Sequence, residues 1–505
     1  MTPSEDKNVN LNTGLIRKNP NKVYMILTFI WVFVCSVSFF FLCISPVCGY
    51  DESYTISMIS HSFSDIVKIT SQDVHSPLYY FLVRLFSFLP GIDNIHAPKL
   101  FSYLCTILYF VITSIFVGHK YGRKAAFFVV FIASVSPMML SQVCNGRMYA
   151  PGLLFFSAAM YEAWLITEEI KVRRIIMFIL SSVITVWLHH VFMTMMVMVY
   201  VSFIIASLVR KEYKRFRVFL FSGMVTGISF LPWLFVMFRQ FGNKNSSGSV
   251  MHPLSDFSWY MEYFRFWKDE LFSAEFYING RMTRFWIVSV VLMVLGLFFY
   301  IRKSKKDILP LFGPALMILT FLTTGMLLVM YSGQFYARYA FPAFSGIWLS
   351  MGVLLSYDFF KKKLFKAVWC AFTASFMLTA LYFGIKTYEG QRNGLSVSGI
   401  DEYLSCMEEV EEGDAVMFSD TWSSLLQIYD PDEEYWIYGY NPDGMPFDYK
   451  GVYTYSEQMD DYSRVWLIGN NMIQMNNLGD GYTEKKTIEF DHHSYHFIVK
   501  LYEKS

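Results

Sequence analysis

Residues 20–52 read PNKVYMILTFIWVFVCSVSFFFLCISPVCGYDE. From Val23 to Cys43 no charge interrupts the run, which is long enough to cross the roughly 30 Å hydrocarbon core that a helix of about 20 residues spans. A polar tail, residues 1–22, precedes it, and no small-residue cleavage pattern follows it. It therefore reads as a retained first membrane span rather than a removed signal peptide. The chain leaves the membrane on two adjacent carboxylates, Asp51 and Glu52.

Further apolar runs begin near Ala97, Ala125, Tyr149, Ile175, Val191, Val218, Arg284, Ile308, Tyr339 and Ala367. With the first, they predict about eleven transmembrane helices by the hydropathy rule. At 54% hydrophobic and 19% aromatic residues over 505 positions, the chain carries more apolar surface than a soluble fold could bury. Membrane lipids are its solvent. A net charge of +1 and the lack of any P-loop or GxGxxG leave no nucleic-acid partner and no nucleotide site in view. The seven cysteines form neither a disulfide framework nor a zinc-ligand spacing.

Lysine and arginine cluster in every second connection, at Arg17/Lys18/Lys22, Lys120/Arg123/Lys124, Lys171/Arg173/Arg174, Arg210 to Arg217, Arg302 to Lys306 and Lys361 to Lys366. Short basic loops stay cytoplasmic, so the N-terminus is expected inside and the alternate loops outside. The domain reading is a cytoplasmic tail 1–22, a membrane domain 23–385 and an extracytoplasmic domain 386–505. The membrane domain carries outer loops at 49–97 and 239–283, and Trp259, Tyr260, Tyr263, Phe264, Phe266 and Trp267 suit the second to the water boundary. In the first loop, Tyr54 to Ile69 is expected as one amphipathic helix on the interface, and Ser76 to Leu89 is too short to span. After Lys386 a helix Ser398 to Glu411 is expected, with strands Ala415 to Phe418, Tyr435 to Tyr438, Val465 to Ile468, Thr487 to Phe490 and Tyr495 to Leu501. That is a small C-terminal α/β domain.

Several polar residues lie beside the outer ends of spans. A partly dry carboxylate at Asp51 is expected to have a raised pKa and to serve as a proton acceptor, although acids also simply flank spans. Asp73 and His75, in QDVHSPLYY, could line a polar cleft or make an ordinary capped turn. Arg147, in CNGRMYAP, and Arg338, in GQFYARYAFP, suit phosphate oxygens or could snorkel, and two on one side favour an anion site. His189, with His190 at the turn between two runs, fits a polar cap more readily than a catalyst.

In this order along the chain, Asp51-Glu52, DVHSPLYY, GRMYA and ARYAFP resemble the polyprenyl-phosphate-sugar glycosyltransferases of the GT-C fold. That superfamily includes the protein O-mannosyltransferases and the aminoarabinose transferase acting on lipid A. The resemblance covers Val23 to His190 most strongly, with a further anchor at Arg338 to Pro342. Ser76 departs from the family's first proline, and Asn145 stands where a glutamate is usual. The resemblance implies an all-α GT-C membrane domain in which Asp51, with Glu52 beside it, is catalytic. Asp73, His75, Arg147, Tyr149, His189, Arg338 and Tyr339 would bind substrate.

The implied reaction is inverting transfer of a hexose or pentose from a polyprenyl-phosphate donor to a lipid, glycan or protein acceptor. No cofactor is required by it, and a divalent metal ion is left open. A bacterial inner membrane is the implied compartment. Two other classes compete: a flippase or transporter of lipid-linked glycans, and an O-antigen-type polymerase or ligase. The first would need ionisable groups at mid-membrane depth, which are scarce, and the second lacks the Asp-Glu pair. The charge alternation makes one direct prediction: reporter fusions after Lys363 and after Ser398 should score on opposite sides of the membrane, and equal scores would overturn the topology.

Overall fold

The computed structural model describes residues 20–73, 75–243, 280–304, 337–357, 359–438, 445–453, 461–471 and 481–505, with positions 315 and 478 standing alone between them. The run from Ile308 and the aromatic loop Trp259 to Trp267 lie outside the described residues. Twelve helices come first: α1 (Pro20–Cys43), α2 (Tyr50–Ser60), α3 (Phe63–Gln72), α4 (Leu78–Ser87), α5 (Ala97–Lys120), α6 (Arg123–Val135), α7 (Pro137–Val143), α8 (Tyr149–Glu168), α9 (Val172–Leu188), α10 (His190–Val209), α11 (Tyr213–Asn243) and α12 (Gly280–Ser304). A 3₁₀ segment (Ala337–Ala343) leads into α13 (Phe344–Ser356) and α14 (Lys363–Gly394), and α15 (Ile400–Met407) opens the C-terminal unit.

Among the described residues, six helical stretches are long and apolar enough to cross a membrane: 21–43, 97–120, 190–209, 213–240, 338–356 and 363–394. The pair α6 and α7 makes a seventh if counted as one broken span, bent by 67°. Pro137 opens α7, and the residue before a proline is pushed out of the helical region, so Ser136 is extended and the chain turns there. Helices α8, α9 and α12 stand at three more of the expected positions; α9, at 17 residues, is short for a straight crossing. The two runs flanking His189 are separate helices, parted by that residue's extended backbone. Side chains such as Phe29, Phe33 and Phe41 point outward from α1, where only lipid could cover them.

Between the spans, packing depends on small residues. A Cβ placed on Gly352 of α13 would stand 2.3 Å from Val129 Cγ2 and 2.5 Å from the Val129 backbone nitrogen on α6. Without a hydrophobic drive between helices in lipid, such close approach supplies the dispersion that holds them.

The first loop departs from the single interfacial helix expected over Tyr54 to Ile69. It forms two helices, α2 and α3, broken at His61 and Ser62, where Ser62 accepts the Asp65 N–H and caps α3. Ser53, Tyr54, Thr55, Ile56, Met58 and Ile59 are all buried, because α2 is roofed by the C-terminal unit instead of lying on lipid. Helix α4 is the short apolar segment expected within Ser76 to Leu89.

Helix α14 runs eight residues past the expected boundary at Lys386, to Gly394. Its last turns are too polar for a hydropathy reading but keep helical hydrogen bonding. Beyond it, β1 (Ala415–Phe418), β2 (Tyr435–Tyr438), β3 (Gly451–Tyr453), β4 (Arg464–Asn470), β5 (Tyr482–His492) and β6 (Tyr495–Lys504) form one sheet in the order β3-β2-β1-β4-β6-β5. The first four are mutually parallel; β6 runs antiparallel to β4, and β5 to β6. All four side chains of β1 are buried, as a central strand covered on both faces requires.

Replacing Gly352 by leucine drives its side chain into the Val129 backbone, and overpacking of this kind costs about 1–3 kcal/mol. The variant should melt at lower temperature than the parent in detergent. Gly227→Ala, at a helical glycine with nothing within 4 Å, should not, and equal melting of Gly352→Leu and parent would refute the close contact.

Candidate active site

Five separated pieces of chain meet at one end of the bundle. They are the first turn of α2, residues 73 and 75–77 before α4, the 145–148 turn between α7 and α8, the break at His189, and the 3₁₀ segment at Arg338. On α2, positions 51, 54, 55 and 58 share one side by the roughly 3.6-residue repeat, so Asp51, Tyr54 and Thr55 face the same space. Asp51 also sits in the first turn, where the helix N-terminus favours negative charge.

Asp51 Oδ2 lies 3.1 Å from Arg338 Nη1, with the two side chains 32% and 20% exposed. Arg147 lies behind this pair, only 4% exposed. Its Nη1 donates to the Asp51 carbonyl (3.3 Å) and to Thr55 Oγ1 (3.4 Å), and its Nη2 donates to His75 Nε2 (3.0 Å). Its guanidinium lies 5.4 Å from the Tyr54 ring centre. The Arg147 Nε is buried and makes no hydrogen bond among the described residues. A buried donor of this kind costs free energy unless something accepts from it.

His75 donates from Nδ1 to Asp73 Oδ2 (2.6 Å), and Tyr54 donates its hydroxyl to the same oxygen (2.8 Å). Because Arg147 is donor only, His75 Nε2 must be the accepting nitrogen, which fixes the tautomer with the proton on Nδ1. Asp73, His75 and Arg147 thus form one relay that holds the arginine in place. The Ser76 hydroxyl donates to the Trp187 carbonyl and ties the turn to α9.

His189 lies between two parts of this site. Its Nδ1 accepts the Val191 N–H (3.1 Å), capping α10. Its ring lies 5.8 Å from His75 and stacks at 5.4 Å on Tyr339, with Tyr149 6.2 Å away. Burial, followed by the neighbouring histidines and arginines, lowers its pKa well below the usual histidine range.

Asp51, Asp73, His75, Arg147, Tyr149, His189, Arg338 and Tyr339 are therefore gathered in one place. Glu52 is not turned with them. It lies about 100° further round α2, and its carboxylate accepts the Gly49 N–H at 3.1 Å, closing the helix start. It shares its surroundings with the buried Lys99 and with His493 instead. Tyr54 and Thr55 were not singled out from sequence, yet both touch the relay. Their spacing of three and four from Asp51 is the signal that points to them.

The expectation of a raised Asp51 pKa is corrected by this geometry. Burial pushes the carboxyl upward, but Arg147 and Arg338, with His75, outweigh it and hold Asp51 below the ordinary carboxylate value. Among the described residues no three His, Cys, Asp or Glu side chains converge as metal ligands.

No protein-family model matches the chain, and its sequence is too distant from those of curated proteins for a match. Solved structures are nearer. ArnT from Cupriavidus metallidurans in the apo state superposes with a TM-score of 0.58 at 10% identity, over 95% of this chain and 98% of that one. The same protein bound to undecaprenyl phosphate gives 0.54 at 10% identity and the same coverage. The Archaeoglobus fulgidus oligosaccharyltransferase gives 0.47 at 13% identity, over 85% of this chain and 64% of that one. The chain is an integral membrane protein with the GT-C fold of ArnT, from its first span through its C-terminal unit.

The pairing of Asp51 has a measurable consequence. In an infrared titration that isolates its carboxyl by difference against Asp51→Asn, Asp51 should stay ionised below the ordinary carboxylate range. Arg338→Gln removes one of the compensating cations and leaves the burial, so protonation should move to higher pH. An unmoved titration in Arg338→Gln would mean that the ion pair does not hold the charge.

Proposed function

We propose that this protein is an inverting glycosyltransferase that moves a sugar from a polyprenyl-phosphate donor to a hydroxyl acceptor at the extracytoplasmic face of the membrane. The observation that carries this reading is the Asp51 carboxylate paired with Arg338 and lying in the field of the buried Arg147, which donates to the Asp51 backbone carbonyl and whose Nε lacks a hydrogen-bond partner among the described residues. The fold supports it, since a structure of the ArnT neighbour is bound to undecaprenyl phosphate.

In the reaction, an acceptor hydroxyl gives its proton to Asp51 while its oxygen attacks the anomeric carbon. The bond from that carbon to the phosphate oxygen breaks on the opposite face, which inverts the sugar. Polyprenyl phosphate leaves with one more negative charge than it carried as a diester. That charge develops where the guanidinium groups already stand, so they favour the transition state over the bound donor. Arg147 is fixed by His75 and Thr55 and needs no reorganisation to do so. Arg338 is shared: as the phosphate draws on it, its hold on Asp51 slackens and the carboxylate becomes the stronger base.

A low pKa keeps Asp51 ionised at neutral pH, which suits a group that must accept a proton at the start of the step. His189 and Tyr339 make an aromatic wall beside Tyr149, suited to the donor's sugar or first isoprene unit. Asp51 and Asp73 already have cationic or hydroxyl partners, a donor set that does not fit a resident divalent ion, so no step runs through a metal. The transporter reading is less well supported, because the ionisable groups collect at the bundle's end beside the C-terminal unit. The extracytoplasmic side, the pentose or hexose nature of the sugar, and a bacterial inner membrane belong to the same reading.

Transfer from a radiolabelled polyprenyl-phosphate sugar by the purified protein tests it. Asp51→Asn should lower the rate by about 10²- to 10⁴-fold, the usual cost of a lost general base. Arg338→Lys keeps the charge but loses the planar fork, and should weaken donor use by more than about tenfold. Full activity in Asp51→Asn would sink the assignment of the base, and no transfer from any polyprenyl-phosphate sugar by the parent protein would sink the function.

A further inference from the structure

The sheet of the C-terminal unit has a direction, and its direction sets what faces the site. In the parallel part, β3-β2-β1-β4, the chain leaves β1 toward β2 on one side and later returns to β4 on the other. Between β1 and β4 the strand order reverses. In open α/β sheets the crevice beyond the carboxyl ends at such a reversal is where ligands bind.

The loop leaving β1 at that point is residues 419–423, and it is locked. The Asp420 carboxylate is buried and accepts four hydrogen bonds: from the Ser423 N–H (2.9 Å), Asn470 Nδ2 (3.1 Å), Ser419 Oγ (3.0 Å) and Ser423 Oγ (2.8 Å). Four is about what a carboxylate can take. Asn470 is the last residue of β4, so this network clamps the two strand ends together.

One residue of the locked loop points away from the network. Trp422 is 38% exposed, although its flanking residues Thr421 and Ser423 are buried. Its indole lies 4.5 Å from the Tyr50 ring and 6.4 Å from Tyr495 at the start of β6. Tyr50 directly precedes Asp51. Tyr495 lies in the field of Glu52, Asp51 and Arg338, and burial, reinforced by the two carboxylates, pushes its phenol up. The carboxyl edge of the sheet therefore abuts the catalytic turn of α2, and it presents a half-exposed aromatic face beside it.

We infer that the acceptor is a carbohydrate and that Trp422 is its stacking platform, a positioning residue that sets an acceptor sugar ring beside Asp51. This rests on the proposed transferase function and adds the acceptor class to it. A rigid, wide, half-exposed ring suits the apolar C–H face of a pyranose, which offers one flat surface while its hydroxyls stay in water. An extended peptide would be expected to pair with backbone or fill several side-chain pockets. A lipid tail would need a continuous apolar channel, whereas the edge here is an aromatic patch over a polar, hydrogen-bonded loop.

Saturation-transfer NMR on the full-length protein in lipid nanodiscs tests this with three probes: N-acetylglucosamine oligomers, mannose oligomers and a serine-rich hexapeptide. Undecaprenyl phosphate binding is measured in parallel on every sample. At least one oligosaccharide series should bind, with saturation strongest on ring C–H protons. Trp422→Ala should weaken it by about tenfold, the scale of an aromatic contact beyond simple area. Trp422→Phe should retain most of the affinity. Undecaprenyl phosphate binding should be unchanged in both Trp422 variants, which also reports that they are folded. If no oligosaccharide binds, or if Trp422→Ala binds as tightly as the parent, the inference fails and the donor reading stands. Failure of the parent itself to bind undecaprenyl phosphate would instead remove the donor reading.

Discussion

The contact between Asp51 and Arg338 joins the first loop of this protein to the 3₁₀ segment that leads into α13, across nearly three hundred positions of sequence. A carboxylate and a guanidinium at the edge of a membrane domain would each be costly to desolvate alone. Together, and with Arg147 behind them, they form a site in which the carboxylate's charge is met by two guanidinium groups. The other features of the site serve that balance. Asp73 and Tyr54 orient His75, His75 accepts from Arg147, and Arg147 holds the backbone of α2 at Asp51.

Electrostatics also explains why the Asp51 carboxyl is set low rather than high. A carboxyl raised by burial would be a stronger base per molecule but protonated for more of the time. One lowered by arginines is available at neutral pH. Under the proposed reaction, a donor phosphate that engages Arg338 would release the carboxylate, coupling donor binding to base strength.

Much of this was legible in the sequence, for identifiable reasons. Long apolar runs and alternating basic loops are period-free signals that survive without tertiary context, so the spans near Val23, Ala97, Val191 and Val218 were readable. The strands at Ala415 to Phe418 and Tyr435 to Tyr438 were readable because a strand buried on both faces is a short continuous apolar run. The fate of α2 was not. Its amphipathic pattern looked interfacial, and only the roof formed by the C-terminal unit turns both its faces inward. The strand at Gly451–Tyr453 was missed because three residues carry no periodicity. The environment of Asp51 could not be read either, since whether burial or cation proximity governs a carboxyl depends on distances of a few ångströms. Glu52, adjacent in sequence, is directed elsewhere by the simple rotation of a helix.

Helix α2 is held from above by residues made last. The Ser57 hydroxyl donates to the Pro446 carbonyl at 2.6 Å, Tyr429 bonds the irregular segment entering α2 through the Pro46 carbonyl and the Cys48 N–H, and His493 lies against Gly49. Ribosomal synthesis delivers these partners only after every span has been inserted. The turn that carries Asp51 emerges early and must wait, without its roof, for some four hundred residues to follow. Assembly of the site therefore waits for the C-terminal unit to be made.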